Sequence, residues 1–163
     1  MKNLVMAFTG PSNSGKTTLI VKLSTYLKQQ GFKVCIVKHD PKDKAIFDTG
    51  GKDSYKFSQT GADVAVVSST RTTYFKPHSS DIEDLINMFG EFDYLLVEGL
   101  KTLPLPRIAI FRNKLDENYY EVSDAIAIDN TISKQSIPNT SAYLDLNNIQ
   151  MITDWIDDNA KKV

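Results

Sequence analysis

A chain of 163 residues, 41% apolar, 24% charged and 10% aromatic, has the length of about one domain and the make-up of an ordinary globular protein, which excludes disorder and collagen-like repeats. Lys plus Arg total 19 against 20 for Asp plus Glu, so the net charge of -1 and pI near 6.1 supply no global positive field for a nucleic acid. Cys35 is the only cysteine, which excludes intrachain disulfides and multi-cysteine metal sites and points to a cytoplasmic protein; no apolar run approaches the ~18 residues of a spanning helix.

Leu4-Val-Met-Ala-Phe8 is an unbroken apolar run ending at Gly10-Pro11, the pattern of a strand buried on both faces and too short for a signal-peptide core. Leu19, Ile20, Leu23, Tyr26 and Leu27 recur at three- and four-residue steps, predicting a helix over Lys16 to Gln30 that stops at Gly31. Val34-Cys-Ile-Val37 is a second bare run, so strand, helix and strand form a parallel βαβ unit with a right-handed crossover. Cys35 in that strand reads as core filling. Asp40 to Gly51 is polar and carries Pro41 and Gly50-Gly51, a loop expected to change shape with ligand.

A short helix from about Lys52 to Gln59 follows, in which Asp53 or Ser54 serves either as N-cap or as a ligand contact. Val64–Val67 and Thr72–Phe75 are separated by a few polar residues and should pair as an antiparallel hairpin, whose open edge a second copy of the chain could use. Ser80 with Glu83 resembles a capping box ahead of Ile82, Leu85, Ile86 and Phe89 at helical spacing. Asp93–Glu98, Ile108–Phe111 and Ala125–Ile128 are further buried strands. Ile149, Ile152, Trp155 and Ile156 mark a closing amphipathic helix, with Asp157 to Lys162 as its charged end. Without an internal repeat or linker, residues 1–163 are expected to form one domain.

Gly10-Pro11-Ser12-Asn13-Ser14-Gly15-Lys16-Thr17 satisfies G-x-x-x-x-G-K-[ST] between a predicted strand and a predicted helix, the context that gives this motif its meaning. Its glycines let backbone N–H groups fold around phosphate oxygens at a helix N-terminus. Lys16 reaches the β and γ phosphates, Thr17 offers a hydroxyl to Mg²⁺, and Thr18 extends the same turn. The implied architecture is a three-layer α/β P-loop NTPase fold: a mostly parallel central sheet, helices on both faces and an antiparallel hairpin extension.

A magnesium-holding carboxylate should stand at the C-terminal edge of a neighbouring strand. Glu98 ends its strand and Asp93 begins it, so Glu98 is assigned to the metal or its water shell, with Gly99 permitting close approach, and Asp93 to a connector. Lys38-His39-Asp40 leaves the second strand by the same geometry and should face the phosphates from the next strand over. Asp40 could there orient a water or bind the metal, which makes Lys16, Asp40 and Glu98 the candidate catalytic groups. His39 and His78 have no partner at ligand spacing and are not a metal signature. Asn113-Lys114-Leu-Asp116 matches N-K-x-D, in which the aspartate accepts from guanine N1 and N2. Asp124 and Asp129, flanking the strand Ala125–Ile128, are alternatives, Asp129 being the one at its C-terminal edge.

Taken together, these motifs resemble the molybdopterin-guanine dinucleotide biosynthesis protein B (MobB) family of small P-loop GTP-binding proteins. The resemblance spans most of the chain. It rests on Gly10 to Thr17, Val37-Lys38-His39, Gly51-Lys52-Asp53-Ser54 with Gly61-Ala62, Val97-Glu98-Gly99-Leu100-Lys101 and Pro106-Arg107-Ile108. It implies a homodimeric, weakly hydrolysing, magnesium-dependent GTPase acting beside the nucleotidyltransferase that joins GMP to molybdopterin. Two departures stand out: Asp40-Pro-Lys42-Asp43-Lys44 replaces a loop in which the family usually has further histidines, and Gly50 stands where a proline often precedes Gly-Lys-Asp-Ser. A P-loop small-molecule kinase is the competing reading. Against it, Arg71, Arg107 and Arg112 are the only arginines, and none lies in a lid-like segment that could clamp a transferred phosphoryl group. A third reading is an adapter that binds nucleotide without turning it over.

Overall fold

The computed structural model describes residues 1–163, which run in chain order through β1 (Leu4–Thr9), α1 (Lys16–Gln29), β2 (Val34–Lys38), α2 (Asp53–Ser58), β3 (Val64–Val67), β4 (Thr72–Phe75), α3 (Ile82–Phe89), β5 (Tyr94–Glu98), β6 (Arg107–Phe111), β7 (Ala125–Ile128), β8 (Ala142–Asp145), α4 (Ile149–Asn159) and β9 (Lys161–Lys162). Short 3₁₀ turns cover Glu117–Tyr119 and Lys134–Ser136. The chain divides into two compact units, Met1–His39 with Glu91–Val163, and Asp40–Gly90. No helix is long and apolar enough to cross a membrane.

In the first unit, six parallel strands lie in the order β2-β5-β1-β6-β7-β8. β1, β5, β6 and β7 are the unbroken apolar runs, and burial on both faces is what such runs require. Alternate residues point one way: Met6 and Phe8 of β1, Tyr94 and Leu96 of β5, Ile108 and Ile110 of β6 and Ala125 and Ala127 of β7 share a core with Leu19, Ile20, Leu23 and Leu27 of α1 and with Ile152 and Ile156 of α4. Trp155 packs against this cluster. On the other face of β6 and β7, Ala109, Phe111, Ile126 and Ile128 are covered by Leu115, Tyr119, Tyr120, Ile132 and Ile137 from loops that include the 3₁₀ turns, and by Tyr143 of β8. β2 is an edge strand with alternating burial, and its Cys35 is buried as expected, with burial pushing the thiol up.

Gly31 stops α1 as the sequence predicts. It adopts φ +88°, donates to the Lys28 carbonyl, and leaves Phe32 to donate back to Leu27, which satisfies carbonyls that the helix end would orphan. Asp93 is a connector: its carboxylate accepts from the backbone N–H groups of Lys2 at 3.0 Å and Lys33 at 2.9 Å.

Three local expectations need correction, and one strand was not foreseen. β2 is not the neighbour of β1, because β5 pairs with both, and the crossover through α1 leaves a gap one strand wide for it to fill. The helix α4 ends at Asn159, and Lys161–Lys162 pairs antiparallel with Leu4 and Val5 instead of prolonging it. β8, in which Leu144 alone is fully buried, has too short an apolar signal to be foreseen. At α3 the N-cap is Asp81, whose side chain accepts from the Asp84 N–H at 2.8 Å, and not Ser80 of a capping box.

The Asp40–Gly90 unit holds α2, the β3–β4 hairpin and α3. The hairpin is antiparallel as expected, Val64 opposite Phe75 and Val67 opposite Thr72. Lys52 occupies the N-cap position of α2 without a side-chain cap, so neither Asp53 nor Ser54 fills that role.

Candidate functional site

The register of β2, β5 and β1 assembles one end of the sheet. Phe8 and Lys38 both stand opposite Glu98, so one row carries the last residues of two strands and leads, through Thr9, into Gly10. Gly10 at φ +138° passes so close to β6 that a Cβ there would lie 2.4 Å from the Ile110 carbonyl oxygen and 2.9 Å from Ser14 Oγ, a conformation and a clearance that only glycine offers. Asn13 (φ 61°) and Gly15 (φ +96°) take left-handed conformations that turn the loop onto itself before α1 begins at Lys16. Lys16 folds back, its ammonium donating to the carbonyls of Gly10 at 3.0 Å and Pro11 at 2.7 Å. Burial holds that ammonium below the ordinary lysine value, while Glu98 opposes the shift and Lys38 and Lys101 add to it. The Ser14 hydroxyl is buried without a hydrogen-bond partner. A loop with a glycine that must stay glycine, left-handed turns and an inward lysine fits a phosphate chain.

Two clefts open on this loop. One, of about 320 Å³, is lined by Asn13, Gly15, Lys16, Thr17, Thr18 and Arg112. The other, of about 350 Å³, is lined by Pro11, Ser12, Asn13, Ser14, Arg112, Asn113, Lys114 and Asp116. The N-K-x-D segment therefore lies beside the phosphate loop. Asp116 also caps the 3₁₀ turn behind it, accepting from Asn118 N at 3.1 Å and Asn118 Nδ2 at 2.8 Å. Asp129 follows β7 on the same side, where its carboxylate accepts from Thr131 and pairs with Arg112 Nε at 3.5 Å. Asp124 precedes β7 at its other end and accepts from the Arg107 backbone N–H at 2.8 Å.

Glu98 lies at the C-terminal edge of the strand next to β1, with Lys38 Nζ at 3.4 Å from its carboxylate. His39 donates its N–H to the Glu98 carbonyl, and its Cβ lies 3.0 Å from where a Cβ on Gly99 would stand, so Gly99 is what lets the β2 and β5 ends meet. The Lys38-His39 pair thus faces the loop across β5 and not from an adjacent strand, a correction that follows from the strand order. Asp40 belongs to the other unit, where its carboxylate accepts from the backbone N–H groups of Lys44 at 2.7 Å and Ala45 at 2.6 Å. Asp53, exposed in the first turn of α2, pairs with Lys56 at 3.2 Å. No group of three or more His, Cys, Asp or Glu could hold a metal by itself. A P-loop magnesium site does not need one, because phosphate oxygens, water, one hydroxyl and one carboxylate complete it.

The sequence profile of the family described as MobB, molybdopterin guanine dinucleotide synthesis protein B, matches residues 5–131. The chain belongs to that family. It is 31% identical over 160 residues to the molybdopterin-guanine dinucleotide biosynthesis adapter protein of Haemophilus influenzae, covering 94% of this chain and 87% of that one. A Methanocaldococcus jannaschii relative carrying the same adapter designation is 29% identical over 131 residues, 77% of this chain, and this chain spans only about half of that longer protein, 54%. The crystal structure of Bacillus subtilis MobB shares the fold, with a TM-score of 0.74 over 97% of this chain and 98% of that one at 24% identity. In this MobB chain the Val-Glu-Gly and Pro-Arg-Ile segments are joined through one side chain. Arg107 is 1% exposed and donates to the carbonyls of Gly99 at 2.7 Å, Leu100 at 3.0 Å and Leu103 at 3.2 Å, clamping the turn that carries Glu98.

The residue that sequence reasoning passed over is Arg112. It lies in no lid-like segment, but it is the first residue beyond β6, and ligands collect beyond the carboxyl ends of such strands.

Proposed function

We propose that this chain is a GTP-binding adapter of molybdopterin guanine dinucleotide biosynthesis with weak, magnesium-dependent GTPase activity, working in the cytoplasm beside a molybdopterin guanylyltransferase. The observation that carries this reading is the Gly10–Thr17 loop seated between β1 and α1 with Glu98 on the adjoining strand end, in a chain of the MobB family. The loop's N–H groups and Lys16 would hold the β and γ phosphates, and Lys16 would exchange its two carbonyl partners for phosphate oxygens. Thr17 and Glu98 would hold Mg²⁺, which when bound supplies charge neutralisation at the phosphates. Asp116 would read guanine, the Asp129 carboxylate being engaged by Thr131 and Arg112; Lys38 and His39 would face the phosphates from beyond β5. Asp40 and Asp53 enter as groups of a second unit whose loop, Asp40 to Gly51, responds to the nucleotide. The hairpin β3–β4 has no third strand and exposes Val67, which supports a homodimer paired across it.

One observation favours a kinase as the second reading: Arg112 lines the phosphate cleft, so an arginine is at hand for a transferred phosphoryl group. Calorimetric titration with GTP and ATP, each with and without Mg²⁺, followed by phosphate release, separates the two. Magnesium-dependent binding of GTP over ATP, lost in Lys16→Ala, with slow phosphate release, is expected. Preference for ATP, turnover only when a small acceptor is added, or unchanged GTP affinity in folded Lys16→Ala would overturn the proposal. The same samples should sediment as dimers, and a monomer would remove that part of it.

A further inference from the structure

We infer that Arg112 is a nucleotide-binding residue that grips a phosphate shared by GTP and GDP at the junction of the two clefts, and that Asp129 and Thr131 hold it in position; this rests on the nucleotide-binding reading above.

The position follows from the register. Phe8 and Thr9 of β1 stand opposite Ile108 and Ala109 of β6, so β6 continues two residues, Ile110 and Phe111, beyond the last pairing with β1. Arg112 is thereby delivered past the sheet edge, at the level of the phosphate loop. Its guanidinium lies against Gly15, where an added Cβ would be 3.0 Å from Nε, 3.1 Å from Cζ and 3.3 Å from Nη2. Arg112 is also the only charged side chain that lines both clefts, the one with Lys16 and Thr17 and the one with Lys114 and Asp116. A nucleotide whose terminal phosphates occupy the first and whose base occupies the second must pass it.

The chemistry suits that place. The guanidinium makes no hydrogen bond to the protein; its one partner is Asp129 Oδ2, 3.5 Å from Nε, and its side chain is 40% exposed. Pairing through Nε leaves the two Nη groups, a planar fork of donors that matches phosphate oxygens in pairs. Asp129 in turn is tethered. Its Oδ1 accepts from the Thr131 N–H and hydroxyl, and Thr131 Oγ1 accepts from the Asn113 N–H at 2.8 Å. This chain of bonds joins the loops after β6 and β7, so the counter-charge that aims Arg112 is itself fixed to the segment beside the second cleft. Positioning a cation this way lowers the entropy lost when it closes on a ligand.

The test is displacement titration of a fluorescent GDP by GTP and by GDP, on wild type, Arg112→Ala, Arg112→Lys and Asp129→Asn, with thermal unfolding to verify that each is folded. Arg112→Ala should weaken GTP and GDP by the same factor, about tenfold to a hundredfold, the range of a lost hydrogen bond to a charged group. Arg112→Lys should recover part of the loss, and Asp129→Asn should lose less than Arg112→Ala, because the guanidinium remains. Unchanged affinity in folded Arg112→Ala overturns the inference. So does a loss confined to GTP, which would move the contact to the γ phosphate, or equal losses in Arg112→Ala and Asp129→Asn, which would make the pair a structural tie between loops. Failure of the wild type to bind either nucleotide would instead overturn the functional reading on which the inference rests.

Discussion

The parallel-sheet unit and the Asp40–Gly90 unit have very different interiors. Of the buried hydrophobic residues only Val64, at 9% exposure, comes from Asp40–Gly90, whereas Phe47 there is 84% exposed and Val67 72%. Neither α2 nor α3 has a fully buried residue, and a two-stranded hairpin is by itself marginal in water. The sheet unit closes the apolar runs of β1, β5, β6 and β7 between neighbours on both sides, so almost every residue of those strands finds cover. Apolar side chains are therefore buried where several elements are available to cover them. The sheet unit is the scaffold that holds the clefts, and the smaller unit leaves apolar side chains such as Phe47 and Val67 exposed.

The contrast can be broken by truncation. Leu96→Ala, at a fully buried position of β5, should cost about 2–5 kcal/mol in urea unfolding, while Phe47→Ala should stay within about 0.5 kcal/mol. Comparable losses would show that the small unit's exposed side chains contribute to stability as a core does. Next in size comes Arg107→Met, which keeps the bulk of the side chain but leaves the carbonyls of Gly99, Leu100 and Leu103 without their donor; a loss of about 2–3 kcal/mol is expected, with the Glu98 turn loosened. A neutral outcome would mean that the turn keeps its shape unaided.

The smallest effects are titrations, and two of them belong to the sheet unit. The Lys33 N–H, with that of Lys2 and the nearby positive charges, holds the Asp93 carboxyl below its ordinary value against the opposing effect of burial. A depressed carboxylate stabilises the fold above its unfolded value, near 4, and that contribution disappears as pH falls through the lower folded value. Asp93→Asn should thus destabilise at pH 7 and converge on wild type toward pH 2. At the other extreme, burial and the hydrogen bond to Asp157 push Tyr94 up to about 12, so its contribution is complete below pH 10 and fades between 10 and 12; Tyr94→Phe should flatten that alkaline decline in a melting-temperature series.

Much of the site was legible locally. The phosphate loop declared itself by spacing, and its flanks by apolar periodicity, because a tight anion-binding turn needs its glycines and lysine within eight residues of each other. Glu98 was legible because the C-terminal edge of a strand can be read from the strand alone. Asp40 was harder: its carboxylate accepts from Lys44 and Ala45 in its own loop, a local turn that competes for the same oxygen atoms a ligand would use. Arg112 was hidden for a different reason, since its relation to Gly15 depends on how far β6 overshoots β1.

By itself the sequence determined the elements that depend on neighbours in the chain: the βαβ opening, the Gly31 stop, the hairpin and the Gly10–Thr17 loop. Only the tertiary structure decided that β5 lies between β2 and β1, that Lys161–Lys162 closes on the start of β1, and that Arg112 stands between two clefts. The physical reason is that periodicity reports which face of an element is buried, whereas the identity of the element that buries it depends on crossovers and contacts among residues far apart in the chain.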